Sequence, residues 1–334
     1  MKRVTMQDVA TEANVSKSTV SQYINKRYDY MGEETKNRIE QAIKVLGYQP
    51  NYVARSLKQK KTSTIGVIVA NILHTFSTQV IRAIEDYCHE HDFHVIVCNA
   101  DDDPEKERKY IEMLRAKQVD GLIVFPTGEN LDLYNQMLDE KFPLVFADRF
   151  IDHLPVKCIL LDNEKASMLA VNHLIENGYK DIGIVTTSLE RKLTPRIERV
   201  SGYKEALNNN GVDVNETYVQ SVEVHRMKEV IKEMLSLPEP PKALIAGNDL
   251  ALMEVLKVVK EEQISIPQDL AIIGIDEVSF ASLFNPTITT VAQPAFEMGK
   301  DAAHLLLELI KHPAQVPERN IYRYEPILHI RNSS

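Results

Sequence analysis

The residues best suited to chemistry stand at the ends of apolar runs. Asp148 and Arg149 close PLVFADR, Asn248 and Asp249 close KALIAGND, Asp276 closes LAIIGID, and Gln293 follows TTVA. Carboxylate and amide side chains accept or divide hydrogen bonds with vicinal hydroxyls, so a ring of them suits a polyhydroxylated small molecule. A strand-end Asp also serves as a helix cap or a lobe-closing contact, so the convergence of several on one rim carries the argument. Arg149, Arg196 and Arg199 add three guanidinium groups. Three such groups match a carboxylate or phosphate better than a neutral sugar, unless one or two are paired with Asp148, Asp162 or Glu198.

The elements that must position these residues alternate along the chain from Thr64. IGVIVAN, HVIVCNA, VDGLIVFP and PLVFAD read as parallel strands apolar on both faces, with helical runs between them. A second series follows: DIGIVTT, TYVQSVEV, KALIAGN and LAIIGID, again separated by helical runs. The fold class predicted is therefore a body of two doubly wound parallel-sheet α/β lobes in series. Two such lobes face each other across a cleft, and ligands bind outside the carboxyl ends of the strands. The join near Leu161 to Asn163 reads as a crossover between lobes.

A different pattern opens the chain. Thr5 and Asp8 have the spacing of a capping box, and Ser16 is placed to cap a second short helix after a turn through Asn14 and Val15. A third helix spans about Gly32 to Val45, and the three together make an all-α helix-turn-helix module. On its second helix Lys17, Ser18, Ser21 and Gln22 are free to face base edges, where Gln reads adenine through paired hydrogen bonds. Thr5, Ser16, Thr19 and Asn25 suit phosphate contacts that set register. Residues 1–61 hold twelve Lys and Arg against six Asp and Glu, whereas the remainder holds 27 against 42. A basic head on an acidic body points to double-stranded DNA as the partner, through counterion release.

Other classes fit poorly. The chain lacks a G-x-S-x-G elbow, a G-x-G-x-x-G turn and a P-loop, so no enzyme activity is expected. Cys88, Cys98 and Cys158 have no ligand spacing and read as buried free thiols. His74, His89, His91 and His94 are poorly spaced for one metal, so neither metal nor cofactor is expected. No 18-residue apolar run or secretion signal is present, which implies a cytosolic protein, at the nucleoid when bound to DNA, with no membrane partner. HIRNSS at the end carries no leucine heptad for further assembly.

VTMQDVATEANVSKSTVSQYINKR (residues 4–27) and YQPNYVARSLKQKKTSTIGVIV (residues 48–69) closely resemble the LacI/GalR family of bacterial repressors, and the resemblance runs through the whole chain. It implies a periplasmic-binding-protein-like body and chain crossings between lobes near Leu161–Asn163, Thr290–Gln293 and Tyr322–Glu325. The resulting division is a head over 1–49, a hinge over 50–61, a first lobe over 62–161 plus about 294–320, and a second over 162–290 plus about 325–334. It implies major-groove contact by Lys17, Ser18 and Gln22, although relatives commonly have Arg where Gln22 stands. It further implies a hinge helix in the minor groove, with Tyr52, Ala54, Arg55 and Lys58 around a wedging Leu57.

The family's effector contacts fall on Arg199, Asn248 and Asp276, and on Phe76 and Ser77, where relatives often have Asn-Pro-Phe-Phe. The loss of one aromatic there suggests a more polar effector. HTFSTQV and YDYMGE resemble Bacillus regulators of keto-deoxy sugar-acid catabolism. The expectation is a homodimeric repressor of carbohydrate genes on a pseudopalindromic operator, released by a sugar acid or keto-sugar acid. The alternatives are a corepressor-dependent regulator answering a neutral or phosphorylated sugar, and a sugar-processing α/β enzyme. The resemblance implies pairing through the body, with Phe76–Cys88 and Asp102–Leu114 as first-lobe candidates and Leu250–Val259 and Phe280–Phe284 in the second lobe.

Overall fold

The computed structural model describes residues 4–29, 31–49, 61–312 and 320–334. The hinge candidates Tyr52, Ala54, Arg55, Leu57 and Lys58 lie outside them. The chain divides into two compact units after Thr62.

In the first unit, α1 (Met6–Glu12), α2 (Lys17–Ile24) and α3 (Glu33–Leu46) form the head. The expected capping box is present: Thr5 N–H donates to Asp8 Oδ2 at 2.7 Å, and Asp8 N–H to Thr5 Oγ1 at 3.4 Å. Ser16 Oγ accepts from Thr19 N–H at 3.1 Å and starts α2. The turn between them passes through Asn14 at φ 49°, a left-handed conformation that asparagine tolerates. Gly47 at φ 59° ends α3 in the left-handed conformation for which glycine carries no Cβ penalty. Val9, Ala10, Val20, Ile39 and Ala42 are buried and close a small core between the helices.

The second unit holds two six-stranded sheets. The first lobe comprises β1 (Thr64–Val69), α4 (Thr75–Glu90), β2 (His94–Asn99), α5 (Pro104–Ala116), β3 (Gly121–Val124), α6 (Leu131–Asp139), β4 (Leu144–Ala147) and β5 (Lys157–Leu161). The second comprises α7 (Asn163–Glu176), β6 (Ile182–Thr187), α8 (Thr194–Asn209), β7 (Val219–Val222), α9 (Val224–Leu235), β8 (Ala243–Ala246), α10 (Asp249–Glu261), β9 (Ala271–Ile275) and β10 (Thr289–Ala292). Then α11 (Ala295–Lys311) and β11 (Ile321–Tyr324) return to the first lobe, and β12 (Ile327–His329) closes the second. The strand orders are β11-β5-β4-β3-β1-β2 and β12-β10-β9-β8-β6-β7, parallel except for β12 against β10. Central strands such as β3, β4 and β8 are buried throughout, as parallel strands covered by helices on both faces must be.

Two expectations need correction. The first lobe's returning segment runs past the expected residue 320, because Ile321–Tyr324 pair with Cys158–Leu161 and extend the first sheet, so the third crossing falls between Tyr324 and Ile327, at the end of the expected stretch. TYVQSVEV is only partly strand: Glu216–Tyr218 form a 3-10 turn, and β7 is an edge strand with its residues half-buried. The three cysteines are free and buried, as expected.

Candidate functional site

Parallel strands deliver their last residues to one edge of each sheet, and there the two lobes enclose a cleft. Nine residues singled out in the sequence line it, namely Phe76, Ser77, Asp148, Arg149, Arg196, Arg199, Asn248, Asp276 and Gln293, whereas the strand-end Asp249 does not. Asp148 and Asp276 leave β4 and β9 with φ of 66° and 84°, a backbone turn that redirects each side chain as the strand ends. Helix α8 supplies Arg196 and Arg199 from its first turns, and Gln293 follows β10.

Asp276 is buried and accepts from Gln293 Nε2 at 2.5 Å. Burial pushes its carboxyl above the usual range, against the pull of the Arg199 charge. Arg199 donates Nε to Asn163 Oδ1 at 2.9 Å and Nη1 to the Gly247 carbonyl at 2.6 Å, which leaves Nη2 without a protein acceptor among the described residues. Asn248 spends its oxygen capping α10, on Ala251 N–H at 2.8 Å, so its amide NH2 is the group left for a ligand. Gln293 Oε1 and Thr187 Oγ1 are buried with no hydrogen-bond partner. Buried polar atoms are rarely left so, and here both belong to the lining of a cleft.

The other two arginines are already answered from within. Arg149 donates Nε to Asp148 Oδ2 at 3.2 Å and Nη1 to Asp102 Oδ1 at 2.6 Å. Arg196 donates Nη2 to Asp102 Oδ2 at 3.1 Å and Nη1 to the Ser188 carbonyl at 3.0 Å. Burial would raise the Asp102 carboxyl, but the Arg149 and Arg196 charges outweigh it and hold it below the usual carboxylate range. Of the acceptors weighed from sequence, Asp148 pairs as considered. Asp162 instead caps α7, and Glu198 faces Arg323 at 2.7 Å. Asp102, which the sequence places at the start of a helix, lies before α5, whose cap is Asp103.

Sequence reasoning missed several neighbours. Phe125, just beyond β3, meets Phe76 edge-on with ring centroids 6.4 Å apart, so the cleft has a second aromatic that its His-Thr-Phe-Ser run does not supply. The signal was there as the Phe before the final Pro of VDGLIVFP. Thr186, Thr187 and Pro195 also line the cleft. His74 is taken up by a contact between the lobes. Its Nδ1 meets Asp249 Oδ1 at 2.5 Å, and Thr75 N–H donates to Asp249 Oδ2 at 2.7 Å, which ties the first lobe to the second. No group of metal-binding side chains occurs among the described residues.

Burial alone would lower the His74 imidazole, but the bond and charge of Asp249, aided by Asp276 and Asp148, carry it above its ordinary value. Asp249 is raised by burial and lowered further by His74, ending below its ordinary value. A raised histidine stabilises the fold fully below its unfolded value, about 6.5, and loses that contribution as pH rises through the folded value. The depressed aspartate contributes above about 3.9 and fails as pH falls. The clasp is therefore strongest in mildly acidic solution. Between about pH 6 and about pH 8 the thermal midpoint of the wild type should fall by more than that of His74→Gln; parallel decline of the two would refute the clasp.

In the head, Lys17, Ser18 and Gln22 are exposed and Ser21 is half-buried on the same helix. Thr5 and Ser16 are exposed, but both hydroxyls are engaged in caps. Thr19 shares the Ser16 hydroxyl at 2.8 Å, and Asn25 donates to the Ser21 carbonyl at 2.7 Å.

A helix-turn-helix head followed in the chain by a two-lobed α/β body with a polar cleft is the architecture of a DNA-binding regulator. Residues 5–51 match the description "Bacterial regulatory proteins, lacI family", and residues 171–334 match "Periplasmic binding protein-like domain". The chain is 52% identical over 332 residues to the probable HTH-type transcriptional regulator EndR of Paenibacillus polymyxa, covering 98% of each. It is 34% identical over 321 residues to the HTH-type transcriptional regulator KdgR of Bacillus subtilis (strain 168), covering 94% of this chain and 93% of KdgR. Among solved structures, the complex of the transcriptional regulator CelR with cellobiose superposes with a TM-score of 0.71 at 26% identity, over 99% of this chain and all of that one. The chain belongs to the LacI/GalR family and is a sequence-specific DNA-binding transcriptional regulator. These relatives are regulators by name, in keeping with a chain that is not an enzyme. The likeness to KdgR is exceeded by that to EndR, and neither name singles out an effector for this chain.

Proposed function

We propose that the chain is a repressor of carbohydrate-utilisation genes, held as a homodimer on a pseudopalindromic operator and released when a neutral saccharide binds between the lobes. The observation that carries the effector class is the charge balance of the cleft. Arg149 and Arg196 are met by Asp102 and Asp148, and Arg199 stands against the buried Asp276. A site with its guanidinium charges already answered has little to offer a free carboxylate. What remains open is the Asn248 amide, Gln293 Oε1, Thr187 Oγ1 and Arg199 Nη2, a mixture of donors and acceptors suited to hydroxyl groups. Phe76 and Phe125 offer the apolar faces on which a sugar ring packs. The cellobiose held by CelR agrees with a neutral ligand.

In this reading Lys17, Ser18, Ser21 and Gln22 read the major groove; Thr5, Ser16, Thr19 and Asn25 meet phosphates; and Leu57 with its neighbours enters the minor groove. Gln22→Ala should cost about 1–3 kcal/mol of discrimination at one base pair, measured by competition between operator variants at fixed salt. Ligand closure that alters the spacing of the paired hinges would release the heads.

The free Arg199 Nη2 favours one second reading, a sugar-acid effector. Fluorescence anisotropy on a duplex from the gene's own upstream region, titrated with neutral sugars, sugar phosphates and keto-sugar acids, separates the two. Release by a neutral sugar is expected. Release by acids alone would establish the second reading, and tighter binding on ligand addition would make the protein corepressor-dependent.

A further inference from the structure

Asp102 has no duty in its own neighbourhood that would explain its carboxylate. The N-terminus of α5 is capped by Asp103, whose Oδ1 accepts from Glu105 N–H at 2.9 Å. Asp101 and Asp102 both hold left-handed backbone, at φ 54° and 55°, an uncommon pair for residues other than glycine. The main chain is fixed there by Asp102 N–H on the Ala70 carbonyl at 2.7 Å and by Arg191, which donates to the Asp102 carbonyl from the second lobe. The result is a carboxylate presented between the lobes, one oxygen on Arg149 and the other on Arg196. That is the arrangement an anionic ligand would adopt between two guanidinium groups. Without it, the charges of Arg149 and Arg196 would oppose each other: Arg149 already depresses Arg196, second only to burial.

We propose that Asp102 is a built-in occupant of an anion seat formed by Arg149 and Arg196, and that it sets the charge selectivity of the cleft by excluding ligand carboxylates. The proposal rests on the reading of the cleft as the effector site. It assigns selectivity to a residue outside the cleft lining, and it makes the seat part of the contact that holds the lobes together.

The test uses the full chain as wild type, Asp102→Ala and Asp102→Asn. Sodium acetate is the probe for the seat, with sodium chloride at equal ionic strength as control. The thermal midpoint of Asp102→Ala should rise saturably with acetate, the wild type should show no such rise, and Arg196→Ala added to Asp102→Ala should abolish it. Should Asp102→Ala not fold, Asp102→Gly suits the left-handed backbone and takes its place. In the operator assay, glucose with glucuronate and cellobiose with its uronic acid form matched pairs. Asp102→Asn should shift preference toward the acid by tenfold or more.

Absence of an acetate response in the folded alanine or glycine variant overturns the proposal, whatever the sugars do. An acetate response with no saccharide or uronate acting on either protein keeps the seat and removes the reading of the cleft as a saccharide site. An acetate response with an unchanged acid-to-neutral preference overturns the selectivity role.

Discussion

Arg199→Ala should abolish ligand-induced release from the operator and lower unfolding stability by about 3–5 kcal/mol, the usual penalty for leaving a buried charge without its partner. The arginine is buried, bonded to Asn163 and Gly247, and is the strongest charge opposing the desolvation of Asp276. Its loss strands a carboxylate and an amide oxygen together. Urea unfolding followed by tyrosine fluorescence reads the stability, since the chain has no Trp. Anisotropy on the operator reads the response. Arg199→Lys restores charge without the two directed bonds, so it should recover more stability than ligand sensitivity. Full retention of induction in Arg199→Ala would remove this residue from the effector site.

The second large effect is expected far from any ligand. Helix α8 crosses α7 so closely that a Cβ on Gly202 would stand 2.3 Å from the Glu164 carbonyl oxygen and 2.6 Å from its Cα. Both atoms are backbone and cannot rotate away, so Gly202→Ala must push the helices apart, at a cost of about 1–3 kcal/mol. The same helix carries Arg196 and Arg199. The shift should therefore weaken the effector response by tenfold or more while leaving the head's affinity for operator unchanged. A variant with wild-type unfolding midpoint and wild-type induction would show that the helices have room the structure denies them.

The lining of the cleft was largely legible in the sequence because one rule places it: parallel strands deliver their last residues to a common edge. Asp148, Asn248, Asp276 and Gln293 follow from that rule alone, whereas Phe76, Ser77 and the role of Arg199 came from the family resemblance. What stayed hidden is long-range. His74 and Asp249 are 175 residues apart, and Arg196 and Asp102 are 94 apart. No local periodicity announces that such pairs meet, so the arginines could be counted but not their counterions. Strand β11 was overlooked for another reason. IYRY has its middle residues exposed and is held by pairing with β5, which only the folded sheet supplies. In the head, by contrast, caps act within four residues, and the Thr5–Asp8 box and the Ser16 cap were readable from spacing.

The chain passes between the lobes at three places, after Leu161, after Ala292 and after Tyr324, with Arg323–Glu198 and Lys165–Glu325 ion pairs beside two of them. A single tether would permit the lobes to drift, slide or turn. Three side by side act as a door hinge: they forbid translation and leave one soft coordinate, an angle. Under the proposed function, a ligand that closes the cleft would report itself as a rotation about that axis, a signal with a direction.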